Sequence, residues 1–552
     1  FWLKLSTQSG AALRPIASRM TARAGVRIAC LCRHLASQQG GRAPLRACRT
    51  AASTTDVHTK TASFQPEARV SSHPMLIGGE LTQSASGMST PVLNPATGEV
   101  FDYVPHGTRE DLNRAVDAAA TAFKSWSAMP FTERARCLLR FGELIEARKE
   151  ELTQSLTMEQ GKPLMMAGFE VQGVIDNCKH YAEIGDLQPE TVSEDNAAVY
   201  KIVYAPRGVV GGITPWNFPI AMAANKLLPS VIVGNTCVVK PSPYTPLTTV
   251  MLADMAKDAF PPGVMNILTG GDDLGQLMVE HPKIAQISFT GSAATGKKIM
   301  ATGAPTLKKV TLELGGNDPA IVLPDVEPKE VAPKIFGGAM FNSGQVCVAI
   351  KRVFVHESRY EEMVEAMKAE AAKGKSKMND GLAKGTRFGP INNKMQLARV
   401  SELVEDAKKN GARVVAGGQR FNPNGKDGYF YEPTVLADVA EGVRIVDEEQ
   451  FGPVIPLLKY RDVEEAVSRA NDTDFGLGGS VWTNDLERGA ELAARIQSGV
   501  KGVNAHPGGG PGTPFGGVKQ SGIGREGGGT IGLKEFVDVT SLRIAKVGVA
   551  GK

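Results

Sequence analysis

"IAQISFTGSAATGKKI", Ile284 to Ile299, reads as an apolar, β-branched run, a Gly-Ser turn and the start of a helix. Strand, tight turn and helix in that order make half of a βαβ unit. Similar runs lie on both sides: "RGVVGGITP", "NTCVVKPS" and "VMNILTGG" before it, "KKVTLELGGNDPAIVL" after it. Helical stretches such as "TPLTTVMLADMAKDAF" separate them, so the segment from Tyr200 predicts an α/β fold with a doubly wound parallel sheet. After Leu323 the alternation resumes with "RVFVHESRYEEMVEAMKAEAAK", "ARVVAGG" and "VIPLLKYRDVEEAVSRAND", the pattern of a second α/β domain. Upstream, "TREDLNRAVDAAATAFKSW" opens with Thr108 and Asp111 in capping-box spacing. A second helix is expected from about Thr132, running through "RARCLLRFGELIEARKEELTQSL".

At 552 residues the chain exceeds what one hydrophobic core supports, so two large lobes plus extensions are expected. The net charge of +4 combines two unlike segments. Residues 1–55 hold eight Arg and one Lys with no Asp or Glu, leaving 53 basic against 58 acidic residues in the body. A mildly acidic body offers no broad surface for nucleic acid. The Arg-rich, Ala- and Ser-bearing start reads as an organellar import sequence, with the mitochondrial matrix the preferred destination; a disordered basic tail is the alternative. The start at Phe1 instead of Met points to an incomplete N-terminus. The polar stretch up to Pro74 reads as a linker. No run reaches the ~18 uninterrupted apolar residues of a membrane span, so no membrane association is expected.

Five segments could carry chemistry. In "FNSGQVCVAIKR", Phe341 to Arg352, Cys347 follows a Gly-Gln turn. Outside the leader, the cysteines Cys137, Cys178, Cys237 and Cys347 form no CxxC pair or Cys/His cluster, so no metal site is expected and core packing or a nucleophile remain. "GGITPWNFPIAMAANK" holds Trp216 and Asn217 between two prolines, which suits either a fixed amide donor or a turn Asn bonded to its own backbone. Glu313 ends an apolar strand before Gly-Gly, either solvated or buried with a raised pKa. "IVDEEQFGPVIP" places Glu448, Glu449 and Phe451 in a turn, where a charge run commonly means a solvated loop. The Gly291 to Gly296 turn suits a pyrophosphate as well as it suits a purely structural βα connection.

In family order, "PWNFP", "FTGSAATG", "LELGG", "FNSGQVC", "EEQFGPV" and "PFGGVKQSGIGREGG" resemble the NAD(P)-dependent aldehyde dehydrogenase superfamily, from about Met75 to Arg543. The resemblance implies a Rossmann-type cofactor domain, an α/β catalytic domain and a small oligomerisation arm. Its boundaries would be a transit peptide at 1–60, a linker at 61–74, the cofactor domain at 75–312 with the arm near 192–206, the catalytic domain at 313–517, and a C-terminal return with an oligomerisation strand at 518–552. It also implies roles. Cys347 would attack the aldehyde, Asn217 and the Cys347 N–H would hold the oxyanion with support from Lys226, and Glu313 would activate water to hydrolyse the thioester. Gly291, Ser292 and Gly296 would face the pyrophosphate, Lys240 and Glu449 the ribose hydroxyls, and Phe451 the nicotinamide. Trp216, Ser242 and Leu314 would complete the cofactor site. NAD is preferred; Pro243 stands where NAD users often place a carboxylate, so NADP is compatible.

The motifs look closest to the succinate-semialdehyde branch, but Asn225 and Phe341 replace the two arginines that bind the distal carboxylate there. A broader or more hydrophobic aldehyde is therefore expected. A CoA-acylating enzyme usually lacks the base that Glu313 provides here, and a non-catalytic structural protein would lack a reason to retain Cys347, Asn217 and Glu313. "AAVYKIVYAP" and "EFVDVTSLRIAK" alternate like exposed strands and resemble the family's intersubunit elements, implying a homodimer or homotetramer.

Overall fold

The computed structural model describes residues 65–548 apart from 424 and 509–511. The leader at 1–60 and the first residues of the linker lie outside the described residues. The first large sheet has eight strands. Its centre runs Lys309–Glu313, Ile284–Thr290, Val209–Ile213, Thr236–Lys240 and Met265–Ile267, all parallel. Antiparallel Gly522–Ile523 closes one edge, and the Met75–Ile77 and Glu80–Thr82 hairpin closes the other. Thr236–Lys240 is buried throughout, which explains why its sequence is a continuous run instead of an alternating one.

Helix Arg109–Trp126 starts as predicted. Thr108 caps the Asp111 N–H, and the Asp111 carboxylate accepts from the Thr108 N–H at 2.9 Å. The helix expected to run on from Thr132 is two helices, Phe131–Ala147 and Lys149–Gln160. No Gly or Pro marks the break. Arg148 turns the chain, its guanidinium held by Glu151 at 2.8 Å and Asp254 at 3.3 Å, and Leu152 and Leu156 thereby enter the core.

Part of the expected linker is also built into the fold. Glu67–Ala68 pairs with Met88–Asn94, and the Ser71 hydroxyl donates to the Tyr103 carbonyl at 2.7 Å. Two paired residues are too few to leave a periodic signal in a polar stretch.

"KKVTLELGGNDPAIVL" forms two strands in two different sheets. Lys309–Glu313 belongs to the first, Asp318–Val322 to a second of seven strands. That sheet runs Arg413–Ala416, Thr434–Ala437, Val454–Tyr460, Ile350–His356, Asp318–Val322, Gly478–Trp482 and Val500–Val503, parallel except for the first. The crossing spans Leu314–Asn317, so Glu313 is the last residue of the first sheet's strand and not the first residue of the second domain. The two strands expected to be exposed and in search of partners pair with each other. Val537–Ala545 runs antiparallel to Ala198–Pro206 over nine residues, and Glu190–Glu194 adds a third strand. No helix among the described residues is long and apolar enough to cross a membrane.

Candidate active site

The segment before Cys347 is strained. Asn342, Ser343 and Gly344 have φ of 49°, 54° and 74°, three left-handed residues in a row between helix Pro328–Met340 and strand Ile350–His356. For the two non-glycine residues this conformation costs about 1–3 kcal/mol each, so the surroundings must enforce it. They do so through buried polar bonds. The Asn342 amide donates to the Asn217 carbonyl at 3.1 Å, the Ser343 hydroxyl to the Gly389 carbonyl at 2.8 Å, and the Gln345 amide to the Asn342 carbonyl at 2.9 Å.

Cys347 is half-buried and forms no disulfide. Burial pushes its thiol up to about 12; Lys351 opposes the shift, and Glu449, Glu313 and Asp318 add to it. The thiol is therefore the stable form, and the sulfur could act as a nucleophile only with a base to remove its proton.

Asn217 is not bonded to its own turn. Its side-chain amide donates to the Gln345 carbonyl at 2.9 Å, two residues before the sulfur. An amide carries two N–H donors, so one remains for an oxyanion. The Asn217 carbonyl is in turn gripped by Lys162 at 2.8 Å. Lys162 is fully buried, ion-paired with Glu170, and lies over the Phe218 ring at 3.8 Å. Glu170 also accepts from the Ala221 N–H at 3.1 Å in the first turn of helix Pro219–Ile232.

Glu313 is buried, not solvated, and neither carboxylate oxygen has a hydrogen-bond partner among the described residues. Burial raises its pKa well above the ordinary value; Glu526 and Glu535 add to the shift, while Lys226 and Arg525 oppose it. Lys226 does not reach toward Asn217. It is ion-paired with Glu526 and donates to the Thr290 hydroxyl at 2.7 Å, which places it in the charged cluster around Glu313.

Gly315 and Gly316 explain the Gly-Gly break by close approach. A Cβ on Gly315 would lie 2.3 Å from a Glu449 carboxylate oxygen, and one on Gly316 would lie 2.5 Å from the Cys347 carbonyl oxygen. Only bare backbone lets the crossing segment touch both the Cys347 loop and the Glu449 turn.

Glu449 is drawn inward, unlike its neighbour. It accepts from the Gly316 N–H at 3.0 Å, and burial raises its pKa. Glu448 is lowered by Arg444 and Arg399 against the opposing effect of its burial. Phe451 sits at φ 48° and meets Trp216 edge-on, with centroids 5.2 Å apart. Lys240 donates to the Pro241 and Gly270 carbonyls at 2.7 and 3.2 Å, and burial lowers it to about 8.

Helix Ala293–Gly303 begins at Ser292, whose hydroxyl caps the Thr295 N–H, and the exposed side chains of Ala294 and Thr295 leave this first turn open. Gly296 packs on Leu314, and the Gly291 N–H donates to the Glu313 carbonyl at 3.0 Å. An open helix start, a buried ammonium, an inward carboxylate and an aromatic pair fit the phosphates, diols and ring of a dinucleotide. Ser242 is turned inward, its hydroxyl accepting from the Tyr244 N–H at 3.3 Å. Asn225 is half-buried on helix Pro219–Ile232, and Phe341, about half exposed at 49%, stacks on Phe218 with centroids 6.3 Å apart.

The aldehyde dehydrogenase family profile matches residues 81–542. The chain belongs to the aldehyde dehydrogenase family. This aldehyde dehydrogenase is 42% identical over 473 residues to the mitochondrial succinate-semialdehyde dehydrogenase of Arabidopsis thaliana, covering 84% of this chain and 88% of the relative. The NAD+ complex of an aldehyde dehydrogenase from Bacillus cereus superposes with a TM-score of 0.83 at 38% identity, over 86% of this chain and 96% of that one. An NADP-dependent enzyme of E. coli gives 0.82 at 34%, over 86% and 98%.

Reasoning from sequence missed Lys162, Asp318, Lys351 and Glu526. Each is a charge in an unremarkable setting, and only its burial distinguishes it: Lys162 is 1% exposed, Asp318 1%, Lys351 2% and Glu526 5%.

Proposed function

We propose that this aldehyde dehydrogenase oxidises an aldehyde to a carboxylic acid by a hydrolytic route through Cys347, with NAD or NADP as acceptor. The observation that carries the reading is the Asn217 amide, bound across the site to the carbonyl two residues before the sulfur. Glu313 takes the thiol proton as the sulfur attacks the carbonyl carbon, giving a thiohemiacetal. Burial suits it to this task, because a carboxylate with raised pKa is a stronger base. The free N–H of Asn217 and the Cys347 backbone N–H stabilise the developing oxyanion. When bound, the nicotinamide supplies the two-electron acceptor that turns the thiohemiacetal into a thioester. Lys240, Glu449, Trp216, Phe451 and the Gly291–Gly296 turn would hold that cofactor. Glu313 passes the thiol proton to solvent and then draws a proton from water; the hydroxide adds to the thioester, the C–S bond breaks, and the acid leaves as Glu313 returns that proton to the departing sulfur.

For substrate we favour a neutral, apolar or aromatic aldehyde. Phe341 and Phe218 present an aromatic wall, and Lys162 beside it is already neutralised by Glu170. Burying a substrate carboxylate against Phe341 without a free cation is unfavourable. Succinate semialdehyde is the second reading, favoured by the Arabidopsis relative. That relative's mitochondrial name and the basic leader also support a matrix location. Reduced-cofactor formation with neutral, aromatic and carboxylated aldehydes, with and without CoA, tests the proposal. The expected result is turnover without CoA, lost in Cys347→Ser. Strict CoA dependence would overturn the hydrolytic route, and a wide preference for succinate semialdehyde would overturn the substrate assignment.

A further inference from the structure

The stretch around Cys347 ends in two cations, and neither acts in the mechanism above. Arg352 is absorbed by the packing of the second sheet, donating to the Asn317 and Ala470 carbonyls at 2.9 Å each. Lys351 is different. From the strand Ile350–His356 its ammonium turns back under the nucleophile loop and donates to the Val346 carbonyl at 2.7 Å and the Cys347 carbonyl at 3.1 Å. Its third neighbour is the Glu449 carboxylate at 3.7 Å, on the turn whose next aromatic is Phe451. Two of the three ammonium donors are thus taken by backbone carbonyls, and the Glu449 carboxylate balances the charge at ion-pair distance.

We propose that Lys351 is a positioning residue that ties the cofactor-side carboxylate Glu449 to the nucleophile loop and keeps a fixed positive charge beside the Cys347 sulfur. This rests on the reading of Cys347 as nucleophile. Lys351 is 2% exposed, so its charge is poorly screened and its carbonyl contacts are shielded from water. Three acids act in the opposite direction on the thiol: Glu449, Glu313 from the first sheet and Asp318 from the second. His506, packed nearby, donates to the Val348 carbonyl at 2.8 Å and is held down to about 4 by burial, so it is neutral at physiological pH. Among the described residues whose charges act most on Cys347, Lys351 favours the thiolate and the acids oppose it. Engagement of Glu449 by a ribose would draw on the same carboxylate that now shares the Lys351 charge, so occupancy of one site changes the field at the other.

The test is the rate of Cys347 alkylation by iodoacetamide across pH, without cofactor or substrate, followed on the Cys347 peptide by mass spectrometry. Lys351→Gln keeps a donor for the two carbonyls and removes the charge. It should move the rising limb up by about one pH unit, which is about a tenfold slower rate at fixed pH. Lys351→Arg keeps the charge and should stay near the wild-type limb. Glu449→Gln leaves Lys351 in place and removes its counter-charge; alkylation should accelerate, and this variant serves if Lys351→Gln does not fold. Superimposable profiles for wild type and Lys351→Gln, or an unchanged rate in Glu449→Gln, would overturn the proposal. Turnover in Cys347→Ser is read separately: its survival would remove the nucleophile reading, whatever the alkylation profiles show.

Discussion

At the residue scale, the site is a set of acids and a thiol whose pKa values burial raises. This has a consequence for pH with a definite sign. The Glu313 carboxyl is raised, so it stays protonated to higher pH than an ordinary Glu, and only the unprotonated form accepts a proton. The acid limb of the kcat profile should therefore lie well above the usual carboxylate range, with activity rising as pH increases through it. In Glu313→Gln the limb should vanish and steady turnover fall by about 10²–10⁴ with no burst of reduced cofactor, because the thiol loses its base, as stopped-flow absorbance will show. Asn217→Ala tests the other half of the site. Loss of one oxyanion donor should lower kcat by about 10²–10³ with a much smaller change in KM. An equal rise in KM would mean that Asn217 binds the ground state as well.

Elements carry these residues, and their junctions matter more than their interiors. Helix Pro219–Ile232 has no side-chain cap from its own N-cap residue; Glu170, from helix Leu164–Glu183, accepts from the Ala221 N–H instead. The same Glu170 neutralises Lys162, and Lys162 grips the Asn217 carbonyl. Two helices and the Asn217 loop thus share one buried ion pair. Lys162→Met should strand the Glu170 charge and cost about 3–5 kcal/mol, measurable as a lower denaturant midpoint, with reduced kcat in the folded fraction. The double variant Lys162→Met/Glu170→Leu should recover much of the stability and little of the kcat. The capping box at Thr108 and most strands were legible beforehand, because caps and β-branched runs are local signals. The break at Arg148 was not, since ion pairs with Glu151 and Asp254 cause it, and Asp254 lies on a distant helix.

For the whole molecule, the exposed three-stranded sheet is the feature that asks for a second copy. Val192, Val539, Leu542 and Ile544 are all exposed on it, at 63%, 59%, 44% and 45%. Isolated apolar residues on a surface are ordinary; several on a small sheet with open edges favour association. We expect Leu542→Asp/Ile544→Asp to lower the oligomer mass in size-exclusion chromatography with light scattering. Unchanged mass would place the interface elsewhere.

The order of motifs and the parallel α/β architecture were determined by the sequence itself, because periodicity and turn chemistry are carried by the chain locally, while Cys347, Asn217 and Glu313 were singled out by the resemblance of their motifs to the family's. Where the charges lie was decided only by the tertiary structure. Lys226 moved from the oxyanion to Glu526, Glu449 turned inward from an apparently solvated run, and Lys162 and Lys351 emerged beneath the reactive loop. A lysine reads the same in sequence whether it is solvated or enclosed. Its energetic meaning comes from the oxygens that distant segments bring to it, and those exist only after the two sheets have packed together.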